Sequence, residues 1–92
     1  MLKIEKEFII QSPQGMHARP AAMFVQIALK YKSNVTVKKG DEKVNGKSIM
    51  GLLTLGAEKN SKIVLEIVGE DAQQALVELE KFLNNIEGTT KA

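Results

Sequence analysis

The sequence predicts an α+β fold, an open-faced sandwich of mostly antiparallel sheet with helices on one face. Three observations carry this. Strand-like and helix-like segments interleave in the order β-α-β-β-α-β-α. Two consecutive strands are joined by a tight turn, which marks a hairpin. The run Lys62 to Val68 is almost continuously apolar and β-branched, as a central strand requires.

Taken in order, Leu2, Ile4, Phe8 and Ile10 share one parity, broken only by Lys6, and predict a first strand with one buried face. Gln11 to Gly15 holds Ser12, Pro13 and Gly15 and reads as a loop. Ala21, Phe24, Val25, Ala28 and Leu29 then fall on one helical stripe, with Pro20 in the first turn and the end near Tyr31. Val35-Thr36-Val37 opens a second strand, Lys39 to Glu42 is a turn, and a third strand runs through Val44 to the break at Asn45-Gly46. A short helix from Ser48 to Leu55 has a good N-cap in Ser48 and a good stop in Gly56. After the central strand, Ala72, Ala75, Leu76, Leu79, Leu83 and Ile86 give the last helix, with Glu70 and Asp71 at its positive end. One domain spans 1–88, and 89–92 should fray.

With 92 residues, 43% of them hydrophobic, the chain holds one core and little room for a deep pocket. A function carried on the surface follows. The net charge of +2 and an aromatic content of 4% argue against a nucleic-acid interface, which needs a basic excess and stacking platforms. The absence of cysteine excludes disulfides and thiolate chemistry. The first residues mix charge with apolar side chains, unlike a signal peptide, and no apolar run approaches membrane-spanning length. The expectation is a soluble, cytoplasmic monomer without membrane insertion.

His17 is the one histidine, and it stands just ahead of a helix. A first helical turn exposes unpaired N–H groups and favours an anion. Pro20 removes one of those donors and leaves the N–H groups of Ala18 and Arg19 for a phosphate, while the Arg19 guanidinium adds a forked donor array. Gly15 and the small Ala18, Ala21 and Ala22 should keep the approach open. A neutral imidazole is a nucleophile. Its N-phosphoryl adduct stays reactive, because protonated imidazole leaves readily. No paired carboxylates, metal-ligand spacing or nucleophile–base pair accompanies it, so an enzyme with His17 as general base is disfavoured, and neither a cofactor nor a metal is implied.

The short helix carries more apolar residues than two turns can bury. Spacing turns Leu52 and Leu55 inward and leaves Ile49, Met50 and Leu53 outward, beside Met16 and Ala22, as a small docking patch. Methionine suits contact with several partners.

Gly15-Met16-His17-Ala18-Arg19-Pro20-Ala21-Ala22 resembles the active-site motif of HPr, the histidine-containing phosphocarrier family of the bacterial phosphoenolpyruvate:sugar phosphotransferase system. Asn45 to Gly56 looks like the family's second signature, around a regulatory serine. The resemblance implies a sheet order of 1-4-2-3. It also implies a phosphoryl group received on Nδ1 of His17 from Enzyme I and passed to the A component of a sugar-specific Enzyme II, with Arg19 as electrostatic partner. Gln14 stands where the family often has a small polar residue. Ser48 would be the site of an ATP-dependent HPr kinase/phosphorylase, and its phosphorylated form a corepressor for a catabolite-control transcription factor. The alternative within this resemblance is a chiefly regulatory binding module, phosphoserine-dependent or in a nitrogen-type branch.

Overall fold

The computed structural model describes residues 2–85. It contains β1 (Lys3–Ile9), α1 (Ala18–Ala28), β2 (Asn34–Lys39), β3 (Glu42–Asn45), α2 (Ile49–Leu55), β4 (Lys62–Val68) and α3 (Ala72–Asn84). The four strands form one sheet in the order β1-β4-β2-β3, and each neighbouring pair is antiparallel. The fold class, element order and sheet order agree with expectation. Ile86 and the tail 89–92 lie outside the described residues.

The central position of β4 follows from its composition. Ile63, Leu65 and Ile67 point to the helices and are fully buried. Their partners across the ladder are Phe8, Lys6 and Ile4 on one side, with Val37 and Val35 opposite Leu65 and Ile67 on the other. Lys6, which breaks the parity of β1, does face the helix side. At the sheet edge its ammonium reaches Glu80 of α3 at 2.7 Å and lies 5.9 Å from the centre of the Phe8 ring. An amphipathic lysine can cover apolar surface with its stem while its head stays wet. Leu2 lies ahead of β1 and is half exposed, so the buried parity starts at Ile4. The β2–β3 turn is two residues long, Gly40 and Asp41, with φ of +58° at Gly40, the left-handed angle such hairpins need.

The outer face of the sheet is a lattice of charges. Lys38 bridges Glu5 at 2.9 Å and Glu66 at 3.3 Å, and Lys3 reaches Glu66 at 3.1 Å. Lys3, then Lys38, holds the Glu66 carboxyl below the usual range, and Glu5 raises the Lys38 ammonium.

Helix α1 ends at Ala28, short of the expected Tyr31, and Leu29 is 61% exposed rather than part of the buried stripe. Leu29 sits about 80° around the helix from Ala21, at the margin of the stripe. Beyond it the chain is pulled out of helix by α3. The amide of Lys30 bonds to the Ile27 carbonyl, tightening the turn. Glu78 takes the Lys30 ammonium and the Tyr31 hydroxyl. Asp71 takes the amides of Lys32 and Ser33 at 2.8 and 2.9 Å, together with the Ser33 hydroxyl. Asp71 is the N-cap of α3 but makes no side-chain bond to its own helix, its carboxylate being spent on this turn. Helix α3 buries Phe82 in addition to the predicted stripe.

The Ser33 hydroxyl, then the Lys32 amide, holds the Asp71 carboxyl below the ordinary carboxylate value. A depressed folded-state value contributes stability above the unfolded pKa, and that stability is lost as the pH falls through the folded one. The urea midpoint should therefore fall between about pH 5 and about pH 2. Asp71→Asn should be less stable than the parent at neutral pH and converge with it in acid. Parallel curves at all pH values would contradict this role.

Candidate functional site

The histidine is placed by the loop that leaves β1. Asn60 donates its amide to the Ile10 carbonyl at 2.8 Å, and Ile10 donates to Ser61 at 2.9 Å. The buried Ser12 closes a turn, its carbonyl accepting the Gly15 amide at 3.0 Å and its hydroxyl oxygen the Gln14 amide at 3.3 Å. Gly15 has φ of +70°, and the Met16 amide then donates to the Ala57 carbonyl at 2.8 Å. Gly15 is therefore buried, and a Cβ there would lie 2.5 Å from the Ala57 oxygen. Its missing side chain admits Ala57 and does not open the approach to His17, as the sequence suggested.

His17 is the N-cap of α1, with extended backbone (φ −87°, ψ −170°), and its carbonyl accepts the Ala21 amide at 3.0 Å. The ring is half-buried and makes no cap bond. Nε2 is closed to solvent without a partner, alone in this among the side-chain polar atoms of the described residues. Nδ1 also lacks a partner but is not closed off. Ala18 and Arg19 are exposed in the first turn, which contains no acidic residue. Among the described residues no carboxylate pairs with Arg19, two residues along the chain from His17. Pro20 and Ala21 are buried, which removes Ala21 from the expected open approach. Gln14 is exposed and its side chain bonds to nothing among the described residues.

Helix α2 packs against α1 and β3. Ser48 caps it, its Oγ accepting the Gly51 amide at 3.0 Å, and Gly56 ends it with φ of +66°. The Lys39 ammonium reaches the Gly56 carbonyl at 3.1 Å, and Lys47 reaches the Tyr31 carbonyl at 2.7 Å. Leu52 and Leu55 are buried, whereas Ile49, Met50 and Leu53 are 41%, 71% and 38% exposed, as spacing predicts. Ala22 is half-buried. Met16 is a correction: it is 6% exposed and belongs to the core. The reversal at Gly15 and the bond to Ala57 turn its side chain inward. Sequence reasoning did not single out Ser12 and Ala57, the two residues that bracket the loop; the Ser-Pro-x-Gly turn was the available signal.

Among the described residues no group of three or more His, Asp or Glu side chains could hold a metal, and no helix is long and apolar enough to cross a membrane. A groove of about 600 Å³, lined by Tyr31, Gln73, Gln74, Val77, Glu78 and Lys81, contains no predicted site residue.

A family model described as "PTS HPr component phosphorylation site" matches residues 4–85. Phosphocarrier protein HPr of Neisseria meningitidis is 44% identical over 88 residues, covering 96% of this chain and 97% of the relative. The HPr-like protein Crh of Halalkalibacterium halodurans is 41% identical over 80 residues, covering 87% of this chain and 95% of the relative. The crystal structure of HPr-C-His from Thermoanaerobacter tengcongensis superposes with a TM-score of 0.88 at 39% identity, covering 92% of this chain and 96% of that one. An open-faced α+β sandwich that presents one imidazole at a helix start defines a class of small phosphocarriers. The chain belongs to the HPr family of the phosphotransferase system, whose members similar to it include both HPr and the HPr-like Crh.

Gly15→Ala should cost about 1–3 kcal/mol, since it combines a left-handed φ with a backbone clash. Urea denaturation measures the loss, and the largest amide shift changes should fall on Met16, His17 and Ala57. An unchanged midpoint would show that the loop tolerates a side chain there.

Proposed function

We propose that His17 accepts a phosphoryl group on Nδ1 from phosphorylated Enzyme I and passes it to the A component of a sugar-specific Enzyme II. The protein is then a cytoplasmic relay with no catalytic cycle of its own. The observation that carries this reading is the imidazole at the start of α1, with an unpartnered Nδ1 that is not closed off and an Arg19 two residues on that no carboxylate pairs among the described residues. The unbonded amides of Ala18 and Arg19, with the helix dipole, would steady the transferred charge by roughly 0.3–2 kcal/mol. That is enough to seat a phosphoryl group and too little to trap it. The exposed Ile49, Met50 and Leu53, with Ala22, supply an adaptable apolar surface for transient docking.

A second reading concerns Ser48 and is favoured by the likeness to Crh as well as to HPr. HPr kinase/phosphorylase phosphorylates Ser48, and the product acts as corepressor with a catabolite-control transcription factor. Ser48 Oγ accepts one amide, so a phosphate there would sit at a helix start and leave the fold intact. It would add about −1.5 to −2 charges beside the docking surface and repel an acidic partner. The presence of His17 favours the carrier over a purely regulatory module.

Incubation with Enzyme I and labelled phosphoenolpyruvate should give an acid-labile label that is absent from His17→Ala. Label persisting in that variant would sink the carrier reading. Phosphate placed on Ser48 by the kinase and ATP should instead survive acid and vanish in Ser48→Ala.

Met50→Asp should leave the urea midpoint unchanged and slow transfer to and from partners by about tenfold, the worth of one apolar anchor. Undiminished transfer would remove α2 from the docking surface.

A further inference from the structure

Two helices of this chain start with the same cap geometry, and only one of the two cap side chains is engaged. His17 and Ser48 are both N-caps with extended backbone. The carbonyl of each accepts the amide four residues on, from Ala21 at 3.0 Å and from Leu52 at 3.1 Å. An N-cap side chain ordinarily also accepts an amide from the second or third helical residue. Ser48 does so, with Gly51, the third residue of α2, as donor. The third residue of α1 is Pro20, which has no N–H. The second, Arg19, keeps its N–H, yet the ring takes no cap bond from it. Counted along the side chain, Nδ1 is the ring nitrogen within reach of a cap donor. Nε2 lies one atom further out and is closed off.

We propose that Pro20 is a positioning residue for phosphoryl transfer: by withholding the third-residue amide, the donor that Ser48 takes at the same place in α2, it keeps the Nδ1 lone pair free of that cap bond. This rests on the carrier reading above. In the transfer that lone pair forms the new N–P bond while the bond from phosphorus to the donor breaks, its electron pair leaving with the donor. A lone pair already holding an N–H would first have to shed it. Pro20 is itself fully buried, so its ring anchors the first turn while withholding the donor. No other residue type does both.

The test restores the amide without emptying the core. Pro20→Val supplies an N–H and keeps apolar bulk. A ligated analogue with α-hydroxyisovaleric acid at position 20 has the same side chain and an ester oxygen in place of the N–H. In Pro20→Val the new amide should be protected from hydrogen exchange and the Nδ1 nitrogen resonance of His17 should move toward that of a hydrogen-bonded acceptor. Transfer from phosphorylated Enzyme I should slow by about three- to tenfold, the worth of one neutral hydrogen bond. The ester analogue should recover both the parental resonance and the parental rate. An unprotected amide with an unmoved resonance overturns the proposal. So does an ester analogue as slow as Pro20→Val, which traces the loss to packing. If the parent protein takes no label on His17, the carrier reading fails and Pro20's part in transfer fails with it. The resonance and exchange measurements stand apart from that outcome and report on the cap alone.

Discussion

The placement of the imidazole depends on the Met16 amide binding the Ala57 carbonyl at 2.8 Å, where the β1–α1 loop is sewn to the segment between α2 and β4. That bond forms only because Gly15 turns left-handed and lets Ala57 come close. Its consequences run both ways along the chain. It drops Met16 into the core, lifts His17 to the head of α1, and fixes the loop against the end of the helix that carries the exposed apolar residues. The imidazole and the exposed apolar residues of α2 are thus held in one frame mainly by backbone bonds, with the Ser12 hydroxyl closing the turn. The imidazole is set in place by the fold itself.

The remaining scaffold is tied by carboxylates of α3. Asp71 and Glu78 hold the turn after α1 through two backbone amides, two hydroxyls and an ammonium. Both carboxyls lie below their ordinary values because of these donors, Ser33 and Lys30 foremost. Lys47 adds a strap from the start of α2 to the Tyr31 carbonyl. Residues 30–33, on chain that is no longer helical, thus tie the end of α1 to α3 and to the segment just ahead of α2.

Much of the fold was legible because its determinants are local. Alternation identified β1, the apolar run of 62–68 identified β4, and residue chemistry identified the caps at Ser48 and Gly56. The outward set of Ile49, Met50 and Leu53 was legible from capacity alone, since two turns cannot bury five large side chains. The sheet order was not readable from periodicity; it came with the family resemblance. Errors arose where distant groups decide. Nothing near Leu29 or Tyr31 signals that residues 71 and 78 unwind the end of α1. Nothing near Met16 signals that Ala57 will turn it inward. At the site itself, residue types pointed to His17 and Arg19, whereas the inward-facing, partnerless Nε2 became visible only in three dimensions.

The outer face of the sheet has a practical meaning. Its lysines and glutamates neutralise one another, and charged side chains at Lys3, Glu5 and Glu7 guard the β1 edge against pairing with a stray strand. The exposed Ile49, Met50 and Leu53 lie on α2, on the opposite, helix-bearing side. A tether, dye or bead linkage at Lys62 or Glu7, both well exposed, would immobilise the protein with its helices outward.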